Sequence, residues 1–153
     1  MSAPGPGQLL FGFVRHWSRR STVDDASVAE QGRLILVTEA VAALAGRAEP
    51  ATVNAVAQEI GIDQSGASRL IRSAVDAGYL TMTMAPSDGR RREAAVTPIG
   101  HTVLRQAHVW QERMFDELTA GWSQQRRDDF QSAMADLVAR SHAIGGSATP
   151  MGR

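Results

Sequence analysis

The chain has no cysteine among its 153 residues, and no lysine, so every one of its 16 positive charges is an arginine guanidinium. Without cysteine there are no disulfides, thiolate nucleophiles, cysteine-ligated zinc sites or peroxide-sensing thiols. No run approaches 18 apolar residues, and the opening MSAPGPGQLL carries no charged segment ahead of an apolar stretch. Neither a membrane span nor a signal peptide is therefore expected, and the expectation is a soluble cytoplasmic protein. Also missing are a Gly-x-Ser-x-Gly elbow and a glycine-rich phosphate loop, which leaves a hydrolase or transferase without machinery. His101, His108 and Glu112 share a helix face in principle, but lone histidines at that spacing are usually structural, so no metal and no cofactor is expected.

Net charge is lacking as well: the formal charge is +0 and the sequence pI about 6.9. The charge is segregated instead. Residues 64 to 92 carry Arg69, Arg72, Arg90, Arg91 and Arg92 against Asp76 and Asp88, whereas residues 112 to 136 carry Glu112, Asp116, Glu117, Asp128, Asp129 and Asp136 against Arg113, Arg126 and Arg127. The first stretch suits a polyanion, and the second should face away from one.

Hydrophobic spacing supplies the element order. Residues 1–7 hold two prolines and two glycines and read as a disordered tail, and 146–153 read as a flexible tail. Leu10, Phe13, Val14 and Trp17 recur at helical spacing, a polar break follows near Thr22–Asp25, and Leu34, Val37, Val41 and Leu44 share one face of a helix over 26–46. Thr52 caps a short helix that buries Val53, Val56, Ala57 and Ile60. Gly61 stops it two residues before the next cap, Asp63, which is the signature of a helix-turn-helix. The second helix buries Ala67, Leu70, Ile71 and Ala74 and ends at Gly78. Then the period falls to two: Leu80, Met82 and Met84 form a half-buried strand, Pro86–Gly89 a turn, and Ala94 and Val96 mark the return strand. After Pro98 a long helix runs to about Ala120, and Ser123 caps a last helix packing through Phe130, Met134 and Leu137.

This order, together with Ser68-Arg69 in the second helix of the pair, the exit Gly78-Tyr79, the wing Asp88-Gly89-Arg90 and the helix opening Thr97-Pro98-Ile99-Gly100, resembles the multiple antibiotic resistance regulator (MarR) family. The resemblance is closest over 52–100 and covers nearly the whole chain. It implies a mainly α fold with a small two-stranded β wing, a winged helix-turn-helix with N- and C-terminal dimerisation helices. The implied organisation is one domain over 8–145, with a DNA-reading lobe at 52–97 and dimerisation helices at 8–25 and 98–145. The implied partners are a double-stranded DNA operator, a second copy of the chain and a small aromatic or anionic effector. The chain departs from the family at Gly89, where a second basic residue is common, and at Ala94, where a larger apolar residue is usual and whose small size predicts a less firmly packed wing.

The DNA-facing candidates are Thr52, Gln64, Ser65, Gly66, Ser68, Arg69, Arg72, Asp88, Arg90, Arg91 and Arg92. Small residues at the start of a recognition helix allow close approach to the major groove, where a guanidinium from Arg69 or Arg72 reaches guanine O6 and N7 or a phosphate. Hydroxyls and helix N-terminal amides there meet phosphates. The resemblance assigns Arg90 to the minor groove; Asp88, two residues back, is read as pairing with Arg90 or with the turn backbone to fix its direction, and Arg91 and Arg92 as phosphate contacts. The effector candidates are Phe13 and Trp17 as an apolar wall and His16, Arg20 and His108 as partners for a carboxylate or phenolate. A winged helix kept as a protein-interaction module is the competing reading; three consecutive arginines in the wing argue against it.

Overall fold

The computed structural model describes residues 3–20, 26–85 and 88–146; side-chain detail excludes Arg19, Arg20, Ala26, Asp88 and Gly146. The elements are α1 (Pro6–Arg20), α2 (Ala26–Gly46), α3 (Val53–Ile60), α4 (Gln64–Asp76), β1 (Leu80–Ala85), β2 (Asp88–Val96), α5 (Pro98–Leu118) and α6 (Gln124–Gly146). The mainly α fold with a two-stranded wing is the one the sequence predicts. The polar break at 22–25 lies outside the described residues.

Helix α1 starts earlier than expected, inside the stretch read as a tail. Proline suits a first helical turn because its missing N–H has no partner there anyway, and the Gly5 N–H donates to Gln8 Oε1 at 3.0 Å, so the entry is capped. The other caps fall where predicted. The Ala55 N–H donates to Thr52 Oγ1 at 3.2 Å, the Gly66 N–H to Asp63 Oδ1 at 3.2 Å and the Arg126 N–H to Ser123 Oγ at 3.2 Å. Gly61 and Gly78 take the left-handed conformation, φ 79° and 82°, that lets α3 and α4 stop sharply.

The chain forms two compact units, Met1–His108 and Val109–Arg153, where the sequence reads one domain. In the first, Leu34, Val37, Val41 and Leu44 of α2 meet Val56, Ile71, Ala74, Leu80 and Ala94 in one buried cluster. Helix α2 thus belongs to the core under the DNA-reading elements, which the boundaries 52–97 leave out. Arg47, just past α2, bridges Glu49 at 3.0 Å and Glu59 of α3 at 2.6 Å. Hydrogen bonds to Glu59 and Glu49 hold its guanidinium even more firmly protonated than usual.

In the second unit Phe115 stacks on Phe130 with ring centroids 6.0 Å apart, Trp122 meets Phe130 edge-on, and the Arg126 guanidinium lies 4.0 Å above the Trp122 ring. Arg127 bridges Asp116 at 2.6 Å across the turn between α5 and α6. These contacts fix the elbow and leave an apolar stripe of α6 exposed, including Phe130, Met134, Leu137, Val138 and Ile144. No described helix is long and apolar enough to cross a membrane.

Candidate nucleic-acid interface

Helix α4 is amphipathic because its small and aliphatic residues recur at three and four. Ala67, Ile71 and Ala74 are buried, while Gln64, Ser65, Arg69, Arg72 and Asp76 are exposed and Ser68 is half-buried. The predicted recognition-face residues therefore share one side of one helix. Arg69 and Arg72 make no ion pair among the described residues. They differ in surroundings: Arg69 lines a groove of about 350 Å³ against Glu30, Arg33 and Leu34 of α2, and Arg72 does not. Arg33 is a residue that sequence reasoning missed, since only the packing of α2 on α4 brings it beside Arg69.

Two expected roles at the start of α4 change. Gly66 is read from sequence as small for the sake of the DNA, yet a Cβ on it would stand 2.6 Å from Asp63 Oδ1, so its smallness also protects the cap. The Gly66 amide is occupied by that carboxylate rather than presented to a phosphate, and Asp63 places a negative charge beside the helix N-terminus. Thr52 likewise engages its hydroxyl oxygen in capping α3.

In the wing, β1 and β2 are antiparallel, with Leu80 opposite Val96, Met82 opposite Ala94 and Met84 opposite Arg92; the register then jumps to Ala85 opposite Asp88. The jump leaves Gly89, Arg90 and Arg91 in a bulge on β2, and bulges re-aim side chains out of the regular alternation. A small residue at 89 suits that irregularity. Met84 is 54% exposed where the alternation read from sequence expects it half-buried, while the next residue, Ala85, is buried at the point where the register jumps. Arg91 donates to Glu93 at 3.1 Å, which offsets part of its charge, whereas Arg92 makes no ion pair among the described residues. The Asp88 side chain and residues 86–87 lie outside the described residues, so the Asp88 role falls there too.

Ala94 corrects the expectation of a loose wing. It is buried, and its N–H donates to the Ala51 carbonyl at 2.9 Å, tying β2 to the segment before α3. The base of the wing is fixed a second way. The Thr97 hydroxyl contacts the carbonyls of Gly78 and Tyr79 and accepts from the Gly100 N–H at 3.0 Å, while the Tyr79 hydroxyl and the Gln31 side-chain amide are in hydrogen-bond contact at 2.9 Å.

Of the effector candidates, Phe13, His16 and Trp17 come together on α1, with centroids 6.2 Å apart for Phe13–Trp17 and 6.0 Å for His16–Trp17. The Arg20 side chain lies outside the described residues. His108 Nε2 stands 2.6 Å from Glu39 Oε1 of α2, so it already faces a carboxylate. Glu39 is a further residue that the sequence pattern did not single out.

A capped two-helix turn, an arginine-bearing second helix and a basic hairpin anchored to the same core define a winged helix-turn-helix. The profile of the MarR family matches residues 37–91, the segment that holds the helix-turn-helix and most of the wing, and the chain has the MarR winged-helix fold. The crystal structure of MarR is similar with a TM-score of 0.69 at 21% identity, covering 97% of this chain and 99% of that one. BpsR of Bordetella bronchiseptica, whose DNA binding is regulated by 6-hydroxynicotinic acid, gives 0.59 at 18% identity over 90% and 96%. The PcaV transcriptional regulator of Streptomyces coelicolor, solved with its natural ligand, gives 0.54 at 22% identity over 94% and 98%. No curated protein sequence matches the chain significantly.

Proposed function

We propose that the protein is a sequence-specific double-stranded DNA-binding transcription regulator that acts as a homodimer on a palindromic operator, as a ligand-responsive repressor. The observation that carries this reading is the exposed arginine face of α4 in the same unit as the arginine-rich wing, in a chain with no net charge. The homodimer is supported by uncovered apolar residues in each unit taken by itself: Leu9, Phe11, Phe13 and Val14 on α1, and Leu137, Val138 and Ile144 on α6. A two-fold dimer reads half-sites about one helical turn, ~10 bp, apart.

Effector response is supported by the regulation of BpsR by 6-hydroxynicotinic acid, by the natural ligand held by PcaV, and by the Phe13–His16–Trp17 cluster. Such a ligand releases DNA only through different affinities for the binding-competent and binding-incompetent forms.

The test is selection of bound duplexes from a random library by the purified protein. A palindromic motif is expected, with affinity falling about 10³-fold or more between 50 and 200 mM salt if roughly 6 to 10 phosphates are neutralised. Sequence-blind binding, or none, would overturn the reading and favour a protein-interaction module.

A further inference from the structure

The exposed and half-buried polar residues of α4 fall into two neighbouring stripes, because side chains four apart on a helix lie one above the other. Ser65, Arg69 and Ser73 make one, Gln64, Ser68 and Arg72 the other. The first runs into the groove beside α2, since both Arg69 and Ser73 line it. Arg33, Glu30 and Asp63 line the same groove, so Arg69 sits among mixed charges on the α2 side of the helix, with Leu34 and Leu70 also in the lining.

The second stripe is different. Gln64 and Arg72 are exposed, line no part of that groove, and their side chains make no hydrogen bond or ion pair among the described residues. Ser68 between them is small enough to let the helix approach a surface. The two ends also carry the side chains whose geometry matches base edges in the major groove: a glutamine amide pairs with adenine N6 and N7, and a guanidinium with guanine O6 and N7. Eight residues of helix span about 12 Å, or three to four base-pair steps of ~3.4 Å. Asp76, one turn beyond Arg72 and exposed, bars phosphates from continuing along the helix.

We propose that Gln64 and Arg72 are the base-reading residues of α4, taking an A·T pair and a G·C pair about three base pairs apart in each half-site. Arg69 grips the DNA backbone from the α2 side without reading sequence. This rests on the proposed DNA-binding function and deepens it by naming the residues that set specificity.

The experiment is the same library selection, run on the full chain with Arg72→Ala, Arg72→Lys, Gln64→Ala and Arg69→Ala, each checked against wild type by circular dichroism. Both Arg72 variants are expected to lose preference for one G·C pair per half-site by roughly 5- to 150-fold. Arg72→Lys keeps sequence-independent affinity, because lysine retains the charge and loses the planar fork, and it decides the matter if Arg72→Ala folds poorly. Gln64→Ala loses the A·T preference. Arg69→Ala selects the wild-type motif more weakly everywhere, with a salt slope lower by about one per subunit. A wild-type motif that survives both Arg72 variants, or loses a position in Arg69→Ala, overturns the inference alone; a wild type that selects no motif overturns the DNA-binding reading as well.

Discussion

Replacing Gly100 by alanine tests whether the junction between the wing and α5 is set by contact or by helix preference, because the two predict opposite signs. Alanine is the better helix former, so in an open helical position the change stabilises by up to about 1 kcal/mol. At Gly100 the added Cβ would stand 2.2 Å from the Tyr79 carbonyl oxygen and 2.8 Å from Val96 Cγ1. Neither is the end of a flexible chain; one is backbone, the other a β-branched side chain in the strand. Helix α5 must shift outward. That shift strains the bonds Tyr79 O accepts from the Thr97 N–H at 3.0 Å and from Thr97 Oγ1 at 3.1 Å, each worth about 1 kcal/mol. With about 1–3 kcal/mol for overpacking, the net loss is roughly 2–4 kcal/mol, a fall in Tm on the order of 10 °C. Thermal unfolding by circular dichroism at one fixed protein concentration measures it, since concentration alone shifts the Tm of a dimer. Gly32→Ala in α2, where a Cβ meets nothing within 4 Å, is the matched control and should raise Tm slightly. If Gly100→Ala melts at or above wild type, the close approach has no energetic weight and the argument fails.

Removing the α4 cap by Asp63→Ala should cost about 1 kcal/mol in urea unfolding and loosen the first turn that carries Gln64 and Ser65, whereas Asp63→Asn, which can still accept from Gly66, should retain most of it; equal losses would show that charge rather than capping matters. Aromatic acids should weaken operator binding at least fivefold in wild type and less in Trp17→Ala, read by fluorescence anisotropy on labelled operator; identical responses would remove Phe13 and Trp17 from the effector site.

What the sequence by itself determined here is local. Caps at Thr52, Asp63 and Ser123, stops at Gly61 and Gly78, and the change of period at Tyr79 are short-range backbone chemistry, and each stands where its residue type requires. The α4 face was legible for the same reason, since buried and exposed residues follow from spacing alone. Tertiary structure decided everything that depends on which surfaces meet. Ala94 looked too small to hold a wing until the Ala51 carbonyl was found against its N–H, and Gly100 looked like a family signature until the Tyr79 carbonyl explained it. Arg69 and Arg72, three residues apart and chemically identical, became distinct only when α2 packed along one side of α4. The reach of a guanidinium depends on its neighbours in space, and those come from helices some 40 residues away in the chain.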